Sequence, residues 1–401
     1  MSRLSKPEKN RPTIGQPARL LSPSLILVLL GYLCLCLYLY SSHQIQGDGA
    51  AYSLQALVGS PWERSIHVGG LAPLVFGVQV LGLPPNVLGI FWTGTALVAS
   101  FGIGRRLLLV HPRARVAPPG ANHSRIAPLL APLSILASAA TWEAALFVEI
   151  YAPLAALTLL TVWLVLTEKG WLAGLALGWA GATHPGVWAL VPGLFLLTPR
   201  ARATTWRRAF VTAAVIHALA LMLLFPDWWS GGRGIAQLPP SDQSMWPALQ
   251  SLWRLLAADL GIAAFTLMLA LPMLGKRQVL GVLLLVLGTG AVLCRYSDNP
   301  GGLPALWLLL SYSPLASRAI DEVNLPRLRN GLAVLAGVTL LFGIADATSE
   351  QDKKRRAVER EHEARLNAGC PAPEGLSWSK ERLWELSCAL DSTDSATRSQ
   401  Q

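Results

Sequence analysis

Charge is what this chain has least of. Asp, Glu, Lys and Arg make up only 14% of its 401 residues, while 52% are hydrophobic. Soluble globular domains carry about a quarter charged residues, so an ordinary soluble domain is excluded. Acids are scarcer than bases, 23 against 33, which leaves a formal charge of +10. The Lys and Arg fall in short groups between apolar runs, the pattern of cytoplasmic loops in a membrane protein rather than of a nucleic-acid surface. Zinc-ligand spacing is absent among the five cysteines. No Walker lysine follows Gly102-Ile103-Gly104-Arg105, so that glycine pair is no phosphate loop. A clear internal repeat is also missing, which speaks against the inverted-repeat transporters.

What is present is a series of apolar runs, at 20–40, 86–104, 126–142, 148–166, 170–184, 185–198, 209–226, 256–274, 278–294, 303–316 and 330–346. A membrane-spanning helix needs about 20 apolar residues, and several of these runs are short. The expected fold is all-α, a polytopic transmembrane helical bundle of about 11 spans. The first run is long enough to span and Ser41-Ser42-His43-Gln44 offers no small-residue cleavage site, so it reads as a retained anchor. Residues 66–82 are interrupted by Gly69, Gly70, Pro73, Gly77 and Gly82 and read as a juxtamembrane helix on the outer surface.

Charge then orients the chain. With residues 1–19 as a basic cytoplasmic N-terminus, inner segments collect basic groups such as Arg105, Arg106, Lys169, Arg207, Arg208, Lys276, Arg277 and Arg318, whereas outer loops hold Arg64, Arg233, Arg254 and Arg295. The membrane domain covers 20–346, with a first outer loop at 41–85, and 347–401 is an extracytoplasmic charged helical tail. Within the tail, 349–367 reads as a solvated helix, and Cys370 and Cys388 are either a disulfide or two free thiols.

Polar residues that interrupt the apolar pattern carry the functional signal. Asp48, Glu63, His67, Glu143, Glu149, His184, Asp227 and Asp298 all fall on or near the outer face. Acids at membrane level are costly to insert and usually face a protein interior or a wet cavity, the alternative being helix-end capping. His184-Pro185 sits between two short apolar halves, as where broken helices meet near a site, or else in a plain turn. One histidine at 67 without a partner at metal spacing is a weak metal signal. The tryptophans at 228, 229 and 246 serve either to stack on sugar rings or to anchor the chain at the interface.

Gly47-Asp48-Gly49-Ala50-Ala51-Tyr52, His67-Val68-Gly69-Gly70, Glu149-Ile150-Tyr151-Ala152 and Thr183-His184-Pro185 occur in that order. In this order they resemble the GT-C superfamily of membrane glycosyltransferases, in a bacterial branch related to protein O-mannosyltransferases. The resemblance covers about residues 20–200. It departs at Gly49, Ala50 and Ala51, where relatives carry a second carboxylate, and at Val68 and Gly69, where they carry prolines. It implies an extracytoplasmic first loop with juxtamembrane helices, a place in the inner membrane, and a polyprenyl-phosphate-linked sugar as donor.

Transfer from a lipid phosphate to a hydroxyl needs a base, and Asp48 fits it, with inversion at the sugar because a single carboxylate requires no covalent intermediate. Glu149 is placed to orient Asp48, bind sugar hydroxyls or share a divalent cation, or else only to favour a helix N-terminus. Arg64, Arg233 and Arg295 are candidate phosphate partners or ordinary headgroup contacts. His67, Tyr151, His184 and Asp298 complete the expected substrate-binding set, and no residue is assigned as a metal ligand. The competing reading is a non-catalytic transporter or assembly subunit handling a lipid-linked or small substrate.

Overall fold

Prolines and short polar breaks cut the apolar chain into helices of unequal length. The computed structural model describes residues 22–41, 52, 53, 56, 67–110, 127–148, 150–198, 203–224, 250, 263–295, 302–323 and 325–367. Every regular element among them is helical. Helix α1 (Pro23–Leu39) begins with Pro23 in the first turn and the Ser22 hydroxyl accepting from the Leu25 amide. It is followed by α2 (Val68–Gln79) and α3 (Val87–Val110), joined by a turn in which Gly82 takes a positive φ of 63°. Next come α4 (Leu130–Leu136), entered through a 3-10 turn at Ala127–Leu129, and α5 (Ala139–Leu146).

Helices α6 (Tyr151–Leu166), α7 (Gly170–Thr183), α8 (Val187–Leu197) and α9 (Ala203–Leu224) form the middle of the chain. The last part holds α10 (Ala263–Ala270), α11 (Lys276–Arg295), α12 (Gly302–Leu310), α13 (Leu315–Asp321) and α14 (Pro326–Asn367). Two described helices are long and apolar enough to cross a membrane unaided, Val87–Leu109 and Pro326–Arg360. Helices α4 and α5, bent by 69° at their junction, make a third crossing if taken as one broken span. Outward-facing Leu27, Leu37, Phe91, Leu341 and Phe342 are exposed, as a lipid-facing wall requires.

Small residues set the packing. Gly170, Gly174 and Gly178 recur every fourth residue on α7 and meet the carbonyls of Thr205, Ala209 and Ala213 on α9. A Cβ at these glycines would come within 2.7, 2.6 and 2.7 Å of those oxygens, so the two backbones lie in contact. Because the partners advance together along both helices, α7 and α9 run parallel. Helix α8 runs antiparallel to α11: Gly186 meets Val292, Gly193 meets Leu285, and Gly281 meets Leu197.

These pairings sort the bundle into two ends. At one, Tyr312 Oη donates to the Leu197 carbonyl at 2.7 Å, Trp206 Nε1 donates to Thr198 Oγ1 at 2.9 Å, and the Arg277 guanidinium lies 5.2 Å from the centre of the Phe195 ring. The same end carries Lys169, Arg207, Arg208 and Lys276 at the starts of α7, α9 and α11. At the other, Tyr40 Oη donates to Asn86 Oδ1 at 3.1 Å and Asn86 Nδ2 donates to the Ser41 carbonyl at 3.0 Å, tying the end of α1 to the start of α3. A Cβ on Gly89 would touch the Ala144 and Ala145 carbonyls, which brings the end of α5 to the same level.

Helix α2 lies across this second end. Its Gly69 meets the end of α7 at Thr183, its Gly70 meets Ile150 just before α6, and its Gly77 meets Leu88 at the start of α3. This is the placement expected of a juxtamembrane helix.

The tail differs from a freely solvated helix. With no proline between Pro326 and Pro371, α14 continues unbroken for 42 residues. Its charged stretch packs on α1 and α5, with Gln351 only 2% exposed and Arg355 over the Tyr38 ring. Cys370 and Cys388 lie outside the described residues.

Candidate functional site

The connection between α7 and α8 is where the sequence places a break, and the backbone obeys. Pro185 lacks an amide hydrogen and cannot continue α7, so His184 turns to an extended conformation, φ −156° and ψ 120°. The Gly186 amide donates to His184 Nδ1 at 2.9 Å. An acceptor at Nδ1 places the proton of the neutral ring on Nε2. Only 3% of His184 is exposed. A ring that accepts at Nδ1 holds a single proton and is neutral.

His67 precedes the first turn of α2 and uses its Nδ1 in the opposite sense, as a donor. Its Nδ1 lies 2.9 Å from the Thr183 carbonyl oxygen, which only accepts, so Nδ1 bears the proton. The two imidazoles stack with centroids 5.0 Å apart and planes 18° from parallel. Tyr52 meets the His67 ring edge-on at 6.3 Å. Residues 67 and 184, 117 apart in the chain, thus form one surface.

Glycine makes this close approach possible. A Cβ on Gly69 would lie 2.6 Å from the Thr183 amide nitrogen and 2.8 Å from the Ala182 carbonyl carbon. The position is thus fixed as glycine by backbone contact, where the resemblance leads one to expect proline. Beside it a small apolar crevice is lined by Tyr52, Gly70, Leu88, Trp92, Ile150 and Pro153.

Of the expected site residues, His67 and His184 are brought together. Tyr151 opens α6 at the same end, next to Ile150 of the crevice wall. Arg295 closes α11, and the antiparallel pairing of α8 with α11 puts that terminus beside Gly186. Asp48, Arg64, Glu149, Arg233 and Asp298 lie outside the described residues. The sequence motifs contain Tyr52, Gly69 and Thr183 without assigning them a role; the structure makes them the contacts that seat His67 against His184. Among the described residues no three His, Cys, Asp or Glu side chains gather as metal ligands.

Neither a protein-family model nor a curated protein sequence matches the chain. Solved structures do. ArnT from Cupriavidus metallidurans bound to undecaprenyl phosphate superposes with a TM-score of 0.62 at 14% identity, over 90% of this chain and 84% of that one. The apo state of the same protein gives 0.60 at the same identity and coverage. This chain therefore shares the all-α, polytopic membrane fold of that structure. The likeness is to ArnT and does not single out the O-mannosyltransferase-related branch.

Proposed function

We propose that this protein is an integral-membrane glycosyltransferase that moves a sugar from a polyprenyl-phosphate carrier to an acceptor hydroxyl on the outer face of the inner membrane. The observation that carries the reading is the likeness, over 90% of the chain, to a structure holding undecaprenyl phosphate. The stacked His67–His184 pair at the bundle end opposite the basic helix starts supports it, because two of the residues singled out in sequence meet there. The O-mannosyltransferase-like branch rests on the ordered motifs at 47–52, 67–70, 149–152 and 183–185 alone.

In the proposed reaction the acceptor oxygen attacks the anomeric carbon as the bond to the phosphate oxygen breaks. The bonding pair leaves with the polyprenyl phosphate, and Asp48 takes the acceptor proton. Inversion follows from the single displacement. His184, neutral with its proton on Nε2, offers a donor without adding charge. Arg64, Arg233 and Arg295 are the proposed cations for the departing phosphate, and Glu149, Tyr151 and Asp298 the proposed sugar contacts. A divalent cation shared by Asp48 and Glu149 is testable with chelator.

The test is reconstitution in liposomes with a panel of undecaprenyl-phosphate hexoses and pentoses and a membrane extract as acceptor source. Release of undecaprenyl phosphate for at least one sugar, absent in Asp48→Asn, is the expected result. Movement of intact donor across the bilayer without release would favour the transporter reading.

A further inference from the structure

The charged stretch of α14 and the acid at 143 stand out in the sequence, and the proposed reaction uses neither. The structure joins them. Lys354 Nζ forms an ion pair with Glu143 on α5, across 211 positions of sequence. Glu350, one turn earlier on α14, also faces the ammonium at 3.6 Å. The next residue, Arg355, is bound to Asp352 at 2.8 Å and Glu359 at 2.9 Å and covers the Tyr38 ring at 5.8 Å. Arg355 is therefore already held by its own helix and by α1.

Glu143 is held by Lys354 through its side chain and holds the next segment through its backbone. The Phe147 amide donates to the Glu143 carbonyl at 2.9 Å, closing α5. From there the chain passes at once into the crevice wall: Val148 and Ile150 line it, and Ile150 meets Gly70, three residues from His67. A continuous path thus runs from α14 through α5 to the surface that carries the histidine pair. The ion pair contributes little to overall stability, because Lys354 and Glu143 are 36% and 43% exposed and pairs of that kind give roughly 0–1 kcal/mol.

We infer that Lys354 is a positioning residue: its ion pair with Glu143 fixes the end of α5 and thereby Val148 and Ile150, the wall that backs Gly70 and the His67–His184 surface proposed for the lipid phosphate. The inference rests on the proposed lipid-phosphate site, and its test separates the two. Wild type, Lys354→Gln, Glu143→Gln, the double variant and Lys354→Arg are compared in nanodiscs by amide exchange at Phe147, by melting temperature and by affinity for undecaprenyl phosphate.

Each neutral variant is expected to exchange faster at Phe147 and to bind about fivefold more weakly, with unchanged melting temperature. The double variant should be no worse than either single one, and Lys354→Arg should restore both readouts. Unchanged exchange at Phe147 in Lys354→Gln would overturn the inference whatever the lipid does. So would additive losses in the double variant, or weaker binding that merely follows a lower melting temperature. If Phe147 responds to Lys354 while the wild type binds no undecaprenyl phosphate, the anchoring stands and the lipid-phosphate reading fails.

Discussion

The two ends of the bundle are built to opposite rules. At the basic end, side chains close the structure: Tyr312 and Trp206 satisfy the last carbonyl and hydroxyl of α8 and its turn, and cations ring the helix starts. At the other end helices stop short, a juxtamembrane helix rests on backbone through glycine, and two histidines are stacked, one accepting and one donating at Nδ1. The first end serves stability and orientation, while the second keeps polar groups facing one another instead of burying them apart. The transferase proposed above would need both, since a lipid substrate demands a membrane scaffold and a leaving phosphate demands placed donors.

The sharpest test of this contrast sets the proposed base against a cation of the basic end. Asp48→Asn should cut undecaprenyl-phosphate release by about a thousandfold with the protein still folded, the scale of general-base loss. Lys276→Gln should leave release within about twofold, since exposed charges of this kind contribute little. Equal losses at both ends would erase the distinction.

The glycine seam predicts the next largest effect. Gly174→Val must force α7 away from the Ala209 carbonyl, about 3 kcal/mol by overpacking and visible as a lower melting temperature. Gly337→Ala on α14 meets nothing within 4 Å and should gain up to about 1 kcal/mol as a better helix former. A neutral Gly174→Val would mean that the two helices are not in backbone contact.

Smaller still, Tyr312→Phe strands the buried Leu197 carbonyl and should cost about 1–2 kcal/mol in thermal melts.

Much of the scaffold is legible in sequence because membranes impose a coarse rule: apolar runs, basic loops and glycine breaks each have one dominant physical meaning. The break at His184-Pro185 and the juxtamembrane helix at 66–82 can be read from proline and glycine alone. The stacking of His67 on His184 cannot, because contact across 117 positions depends on α2 lying over α7, which no local pattern encodes. The Gly170-Gly174-Gly178 spacing is a signal that sequence reasoning missed and that would have placed α7 against a small-residue face. The run of α14 past the bundle escapes for a simpler reason. Charge on nearly every face suggests solvation, whereas Gln351 and Arg355 turn one face toward α1 and α5.

The most direct measurement is a cryo-electron microscopy structure with undecaprenyl phosphate bound. The account predicts the phosphate at the His67–His184 surface, within reach of Asp48 and of the end of α11. A phosphate seated among Lys169, Arg207 and Lys276 at the opposite end would contradict it.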